Sequence, residues 1–186
     1  MAFDLSQLNI QTSEILDQLE LLTAGLEPAQ ANWQPAPTRW SVAQCIQHLN
    51  TFNGPHLNHL EAVIATGQPA RGKAGTYPWW ERWFMWLEEP PPKFRLPTPA
   101  SLQPASSLDL SEVVAEFRGH HQQLLQLADQ ARHLDWVATR APVGFLPRVR
   151  MSLGTQLALV LVHDRRHLYQ MGQVLAHPQF PAEEES

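Results

Sequence analysis

Cysteine is almost missing from this chain: Cys45 is the single thiol in 186 residues. One thiol excludes an internal disulfide, and it also excludes a zinc site built from several thiolates. Its place inside a helical pattern predicts a buried packing role. Long apolar runs are missing too, since no stretch approaches the roughly 20 residues that a membrane helix needs. The opening "MAFDLSQLNI" has no basic region followed by a long apolar run, which reads against a signal peptide and leaves a cytoplasmic protein as the expectation. Positive charge is scarce: 13 Lys plus Arg stand against 18 Asp plus Glu, a formal charge of −5, with three of the acids in the tail "PAEEES". That balance excludes a general nucleic-acid binder, which would carry a basic face. The small basic group Arg140, Arg148, Arg150, Arg165 and Arg166 is expected to be solvated surface charge rather than an anion site. There is no tandem repeat, and no strand pattern long enough to build a sheet.

What remains is apolar and helical. Apolar residues make up 44% and charged residues 17%, the composition of a folded globular protein. A chain of this length buries roughly 70% of its unfolded surface, enough for a core without crosslinks. The spacing predicts a single domain over residues 1–178 with an acidic tail over 179–186. Leu8, Ile15, Leu16, Leu19 and Leu22 recur at helical spacing between Asp4 and Leu26, with Gly25 and Pro28 marking the end. A second helix opens with Ser41 and Gln44 in a capping-box pattern and runs through Ile46, Leu49, Leu57, Leu60 and Ile64. Gly54 and Pro55 fall inside it and predict a kink near Thr51. A third starts at Asp109 and carries Val113, Phe117, Leu124, Ala128 and Ala131 on one face. The fourth runs from Leu153, capped by Ser152, to Ala176.

Between the second and third helices lies a proline-rich insertion, about residues 67–108. A structureless loop of that length is unusual and tends to be functional. Its centre has helical spacing, because Trp79, Trp83 and Trp86, like Trp80, Phe84 and Leu87, fall on successive turns. A short aromatic helix follows, and it needs a partner: the rest of the domain, a second subunit, or a pocket that it covers. A membrane surface is disfavoured by Glu81, Glu88 and Glu89, which anionic lipid would repel beside the single cation Arg82.

Chemistry concentrates in "HDRRH". At about 100° per residue, His163 and His167 lie about 40° apart around the helix and about 6 Å apart along it, so both rings can reach one point. Their stripe also holds Gln156, Val160, Met171 and Val174 and faces the interior. A lone buried histidine is usually a hydrogen-bonded core residue. Two on one inward face are better served by a shared cation, which uses one acceptor nitrogen from each. The spacing is that of H-E-x-x-H, but Asp164 replaces the glutamate and has a shorter arm, so the protease base role does not transfer. A third ligand has to come from another helix. His56 and His59 lie beyond the expected kink and are read as exposed or at a pocket edge. His48 and His121 remain close competitors on periodicity. Asp164, Gln170 and His121 are candidate orienting groups, with Asp164 at least as readable as an acid on the helix surface or a partner to a ring.

The ordered set "RWSVAQCIQHLN" at residues 39–50, the proline-rich insertion and "HDRRHLYQM" resembles the DinB-like superfamily, also described as YfiT-like metalloenzymes. The resemblance spans the chain from the first helix to Met171. It implies an all-α four-helix bundle in which a tryptophan and a hydroxyl residue open the second helix, here Trp40 and Ser41. It also implies a divalent metal, nickel or zinc, held by His48, His163 and His167. Relatives include thiol transferases that use a low-molecular-weight thiol, maleylpyruvate isomerases, and proteins described as hydrolases, many of them homodimers. One departure is Gln44, where relatives often carry glutamate. The expectation is therefore a metal-dependent hydrolase or thiol transferase acting on a small-molecule substrate. The competing reading is a non-catalytic bundle whose aromatic insertion grips a partner.

Overall fold

A computed structural model describes residues 4–71, 75–94, 103–144 and 146–181. Parts of the expected insertion, 72–74 and 95–102, and residues 182–186 of the expected acidic tail lie outside the described residues. The chain is mostly helical. The order is α1 (Leu5–Thr23), α2 (Pro28–Ala31), α3 (Val42–Ala65), α4 (Trp79–Glu88), α5 (Leu110–Gln130), a 3-10 turn at Ala131–His133, β1 (Arg140–Val143), β2 (Leu146–Ser152) and α6 (Leu153–Leu175).

Each long helix starts where its cap chemistry directs. The Asp4 side chain accepts from the Gln7 amide at the head of α1, and Asp109 accepts from the Ser111 and Glu112 amides at the head of α5. Ser41 and Gln44 form a reciprocal capping box on α3. The chain leaves α1 through Gly25, whose φ of 70° is left-handed backbone that suits glycine.

The four long helices touch in a ring of pairs: α1 with α6, α6 with α3, α3 with α5, and α5 with α1. Leu8, Ile15, Leu19, Ile46, Leu49, Leu57, Phe117, Leu124, Leu157 and Leu161 fill the space between them. Each such side chain taken out of water stabilises the fold by roughly 1.5–3 kcal/mol before its ordering entropy is counted. The helix α3 runs on across Gly54 and Pro55, so the proline does not end it. Gly54 has a packing role instead: a Cβ there would stand 3.1 Å from Nε2 of His120 on α5, so the glycine lets the two helices approach.

A second, smaller core lies on the other side of α6. Met85, Val143, Met151, Ala158, Leu159 and Val162 are buried together, with Phe52, Trp80, Phe84 and Val149 packed against them. It explains why every residue of α6 from Leu153 to Val162 is buried: the helix is covered on both sides.

The sequence expectation of no sheet is corrected by an antiparallel pair, β1 with β2, in which Arg140 faces Ser152 and Pro142 faces Arg150. Two short strands are marginal alone. These are held because Val143 and Met151 enter the second core, while Arg140 and Arg150 each donate to the other's backbone carbonyl, at 2.8 and 2.6 Å. Proline and arginine in "RAPV" and "LPRVRMS" obscure the alternation that would have announced the pair.

Glu81 joins α4 to this region. Its carboxylate is fully buried and accepts from the Ser152 hydroxyl at 2.6 Å, the Thr155 hydroxyl at 2.6 Å and the Ser152 amide at 3.2 Å. Arg140 Nη2 lies 2.7 Å from the same carboxylate. A negative charge at the start of a 23-residue helix also meets the positive end of its dipole.

Candidate metal centre

His48 comes from the second turn of α3, and His163 and His167 from successive turns of α6. One ring nitrogen of each lies within 4.8 Å of the other two. His48 and His163 approach most closely, with their Nε2 atoms 3.3 Å apart. Zinc–imidazole bonds of about 2.05 Å at tetrahedral angles put ligand nitrogens about 3.3–3.4 Å apart, so this separation is one that a shared cation would impose. The donor set fits as well, since imidazoles suit zinc, nickel and related cations.

The surroundings keep the rings uncharged, which is the form that binds metal. Burial pushes His163 well below the ordinary histidine range, with His167, His48 and Arg166 adding to the effect. Burial likewise pulls His167 down to about 3, and His48 and Arg166 lower it further while Gln170 opposes. Gln170 Oε1 lies 3.1 Å from His167 Nδ1 and accepts its proton, so the lone pair is at Nε2. The indole of Trp40 stacks on His167 with ring centres 5.7 Å apart and packs against His48 at 4.6 Å. Phe52 packs on His163 at 4.5 Å. His48 and His167 are buried, whereas His163 is partly exposed and marks the edge from which a ligand can arrive.

A charged pair stands behind the site. His121 Nε2 is 3.0 Å from Asp164 Oδ2, and His121 Nδ1 donates to the Phe117 carbonyl at 2.9 Å. Burial lowers the proton affinity of His121, but the Asp164 charge, its hydrogen bond and the Phe117 carbonyl outweigh it, and the pKa is raised. Asn53 donates to the other Asp164 oxygen at 3.2 Å. Of the two competitors for the third position, the structure brings His48 to the pair and sets His121 against Asp164. Asp164 is fully buried, which corrects its reading as a surface acid.

His56 also departs from expectation. Because α3 is unbroken, His56 keeps the inward register of Leu49, Asn53 and Leu60, is buried, and donates through Nε2 to the Gln156 carbonyl at 3.0 Å. His59 does lie at a cleft edge, in a space of about 320 Å³ that Thr66, Gln68, Arg140 and Arg150 also line. That cleft contains none of the three clustered histidines. Gln44 does more than cap: Nε2 donates to the Ala105 carbonyl at 3.0 Å, which a glutamate could not do. The basic group is only partly solvated as expected. Arg165 makes a two-point pair with Glu89, Arg166 pairs with Glu88 and donates to the Phe94 carbonyl, and Arg140 pairs with Glu81.

Sequence reasoning missed Phe52, Asn53 and Glu81. Asn53 had a usable signal, its place four residues after Leu49 on the inward stripe of α3. Asp164 had one as well, since "LALVLV" shortly before it is apolar all round and leaves no solvent face on that part of the helix. Glu81 had none, because its partners are 71 and 74 residues away.

Compared with known families, the chain matches the DinB superfamily over residues 11–171, a span that holds all three clustered histidines. No curated protein matches it.

Proposed function

The chain belongs to the DinB superfamily, and from that premise we propose that it is a divalent-metal-dependent enzyme acting on a small-molecule substrate, with His48, His163 and His167 as the protein ligands. The observation that carries this reading is the convergence of three imidazole nitrogens within 4.8 Å at a buried point. A divalent cation held there, nickel or zinc, would make a coordinated water or thiol easier to deprotonate and would polarise a substrate carbonyl. The protein's part is orientation and exclusion of water. Gln170 fixes the tautomer of His167, Trp40 and Phe52 wall the rings with apolar surface, and the exposed edge of His163 leaves an approach for substrate. Such a site serves hydrolysis of an ester or amide, or transfer of a low-molecular-weight thiol. A four-helix bundle of the DinB-like type, with the α4 segment as its insertion, belongs to the same reading, as do a homodimer, a cytoplasmic location and no nucleic-acid partner.

The test is a paired assay on protein loaded with zinc or nickel: consumption of a small thiol with an electrophile panel, against ester and amide hydrolysis. Metal-dependent turnover in either arm, lost in His163→Ala, is expected. A loaded protein that turns over nothing in either arm would favour a second reading, a non-catalytic binding protein. The three exposed tryptophans of α4 are what favour that alternative.

A further inference from the structure

Acidic residues on α4 gave the sequence-based reason to set a membrane surface aside, and the structure removes that reason. Glu81 and Glu88 are buried against Arg140 and Arg166, and Glu89, the part-exposed C-cap residue, is paired with Arg165. The opposite face of the helix is Trp79, Arg82, Trp83 and Trp86, at i, i+3, i+4 and i+7, and all four are exposed. The tryptophans keep 77%, 55% and 57% of their surface in water. Lys93 places its ammonium over the Trp86 ring at 5.0 Å. Among the described residues, no carboxylate lies within ion-pair distance of Arg82, Lys93, Arg148 or Arg150, and the last two stand exposed on β2, the strand that packs beside α4.

We propose that this outer face of α4 docks the protein on an anionic lipid membrane. The chemistry is complementary on both counts: indole rings sit at the boundary between headgroup and acyl chain, and unpaired cations meet lipid phosphate and carboxylate. Surface binding grows with buried apolar area plus attraction to anionic lipid, and here three tryptophans and Arg82 share one ten-residue helix. No helix among the described residues is long and apolar enough to cross a membrane, so the contact is with the surface. A second copy of the chain is a poorer occupant. Large aromatic side chains carry about 150–250 Å² each, so the exposed surface of the three tryptophans is on the order of 300–500 Å². Stable dimers bury about 800 Å² on each partner. Tryptophans that insert singly into lipid need no such area.

Co-sedimentation of the full chain with vesicles of phosphatidylcholine, with and without phosphatidylserine, tests this. Binding to the phosphatidylserine vesicles, a blue shift of tryptophan emission and weakening by salt are expected. Arg82→Glu should weaken binding at least about fivefold, the effect of roughly one cation at an anionic surface. Trp79→Ser with Trp83→Ser and Trp86→Ser should abolish it. These side chains are exposed, and circular dichroism would show that the variants remain folded. Failure to sediment with phosphatidylserine vesicles, or equal sedimentation of the triple variant, would overturn the proposal. So would a dimer that the triple variant dissociates while vesicles bind neither protein.

Discussion

His121 and Asp164 face each other at 3.0 Å with their side chains 1% and 0% exposed, an ion pair enclosed by α3, α5 and α6 one residue beyond His163. Both His121 nitrogens point at acceptors, the Asp164 carboxylate and the Phe117 carbonyl, so the ring is held doubly protonated. Breaking such a pair from one side leaves a buried charge without its partner, which costs about 3–5 kcal/mol. Asp164→Ala should therefore lower the unfolding free energy in urea by about 3 kcal/mol. A loss below about 1 kcal/mol, the scale of an exposed pair, would mean that the two groups are not charged together.

His56 makes the opposite prediction about acid. Burial lowers its pKa to about 4, with the Gln156 carbonyl opposing and His59 adding to the fall. The unfolded chain takes up this proton near 6.5 and the folded chain does so only near 4, so acid favours unfolding across that window. The metal-free protein should lose stability at up to about 1.4 kcal/mol per pH unit from this group as the pH falls from 6.5 towards 4. Urea unfolding across that range checks it, with His56→Gln as the comparison. If His56→Gln shows the same pH slope as the wild type, His56 is not the group responsible.

Gln170 touches the candidate centre through a single bond to His167 Nδ1. Without it the ring is free to turn and to change tautomer, and losses of this kind lower metal affinity about 10–100-fold. Gln170→Leu should show that drop in competition with a chromophoric chelator while thermal unfolding of the metal-free protein changes little, because Gln170 is only partly buried. Unchanged affinity would remove Gln170 from the site.

The sequence was legible where one period dominated. Ser41, Asp109 and Ser152 marked helix starts, and the turns of "HDRRH" placed His163 and His167 side by side before any fold was known. His48 over His121 was not decided by periodicity, because both lie near the apolar stripes of their helices; the family pattern supplied that choice. The pieces that stayed hidden depend on contacts distant along the chain. The hairpin is held where Val143 and Met151 share a core with Met85 of α4, and the glutamates of α4 looked solvated until Arg140, Arg165 and Arg166 came to meet them. Pro55 does not end α3, and Leu57 and Leu60 beyond it still pack into the core.

The central claim is that three histidines share one cation, and elemental analysis tests it most directly. Protein purified without a nickel column is dialysed against zinc or nickel, then against buffer, alongside His48→Ala, His163→Ala, His167→Ala and His133→Ala. His133 is exposed and remote from the cluster, so its variant should keep stoichiometric metal, as the wild type should, while the other three lose it. Wild-type protein that takes up no divalent metal, or equal retention by all four variants, would contradict the account.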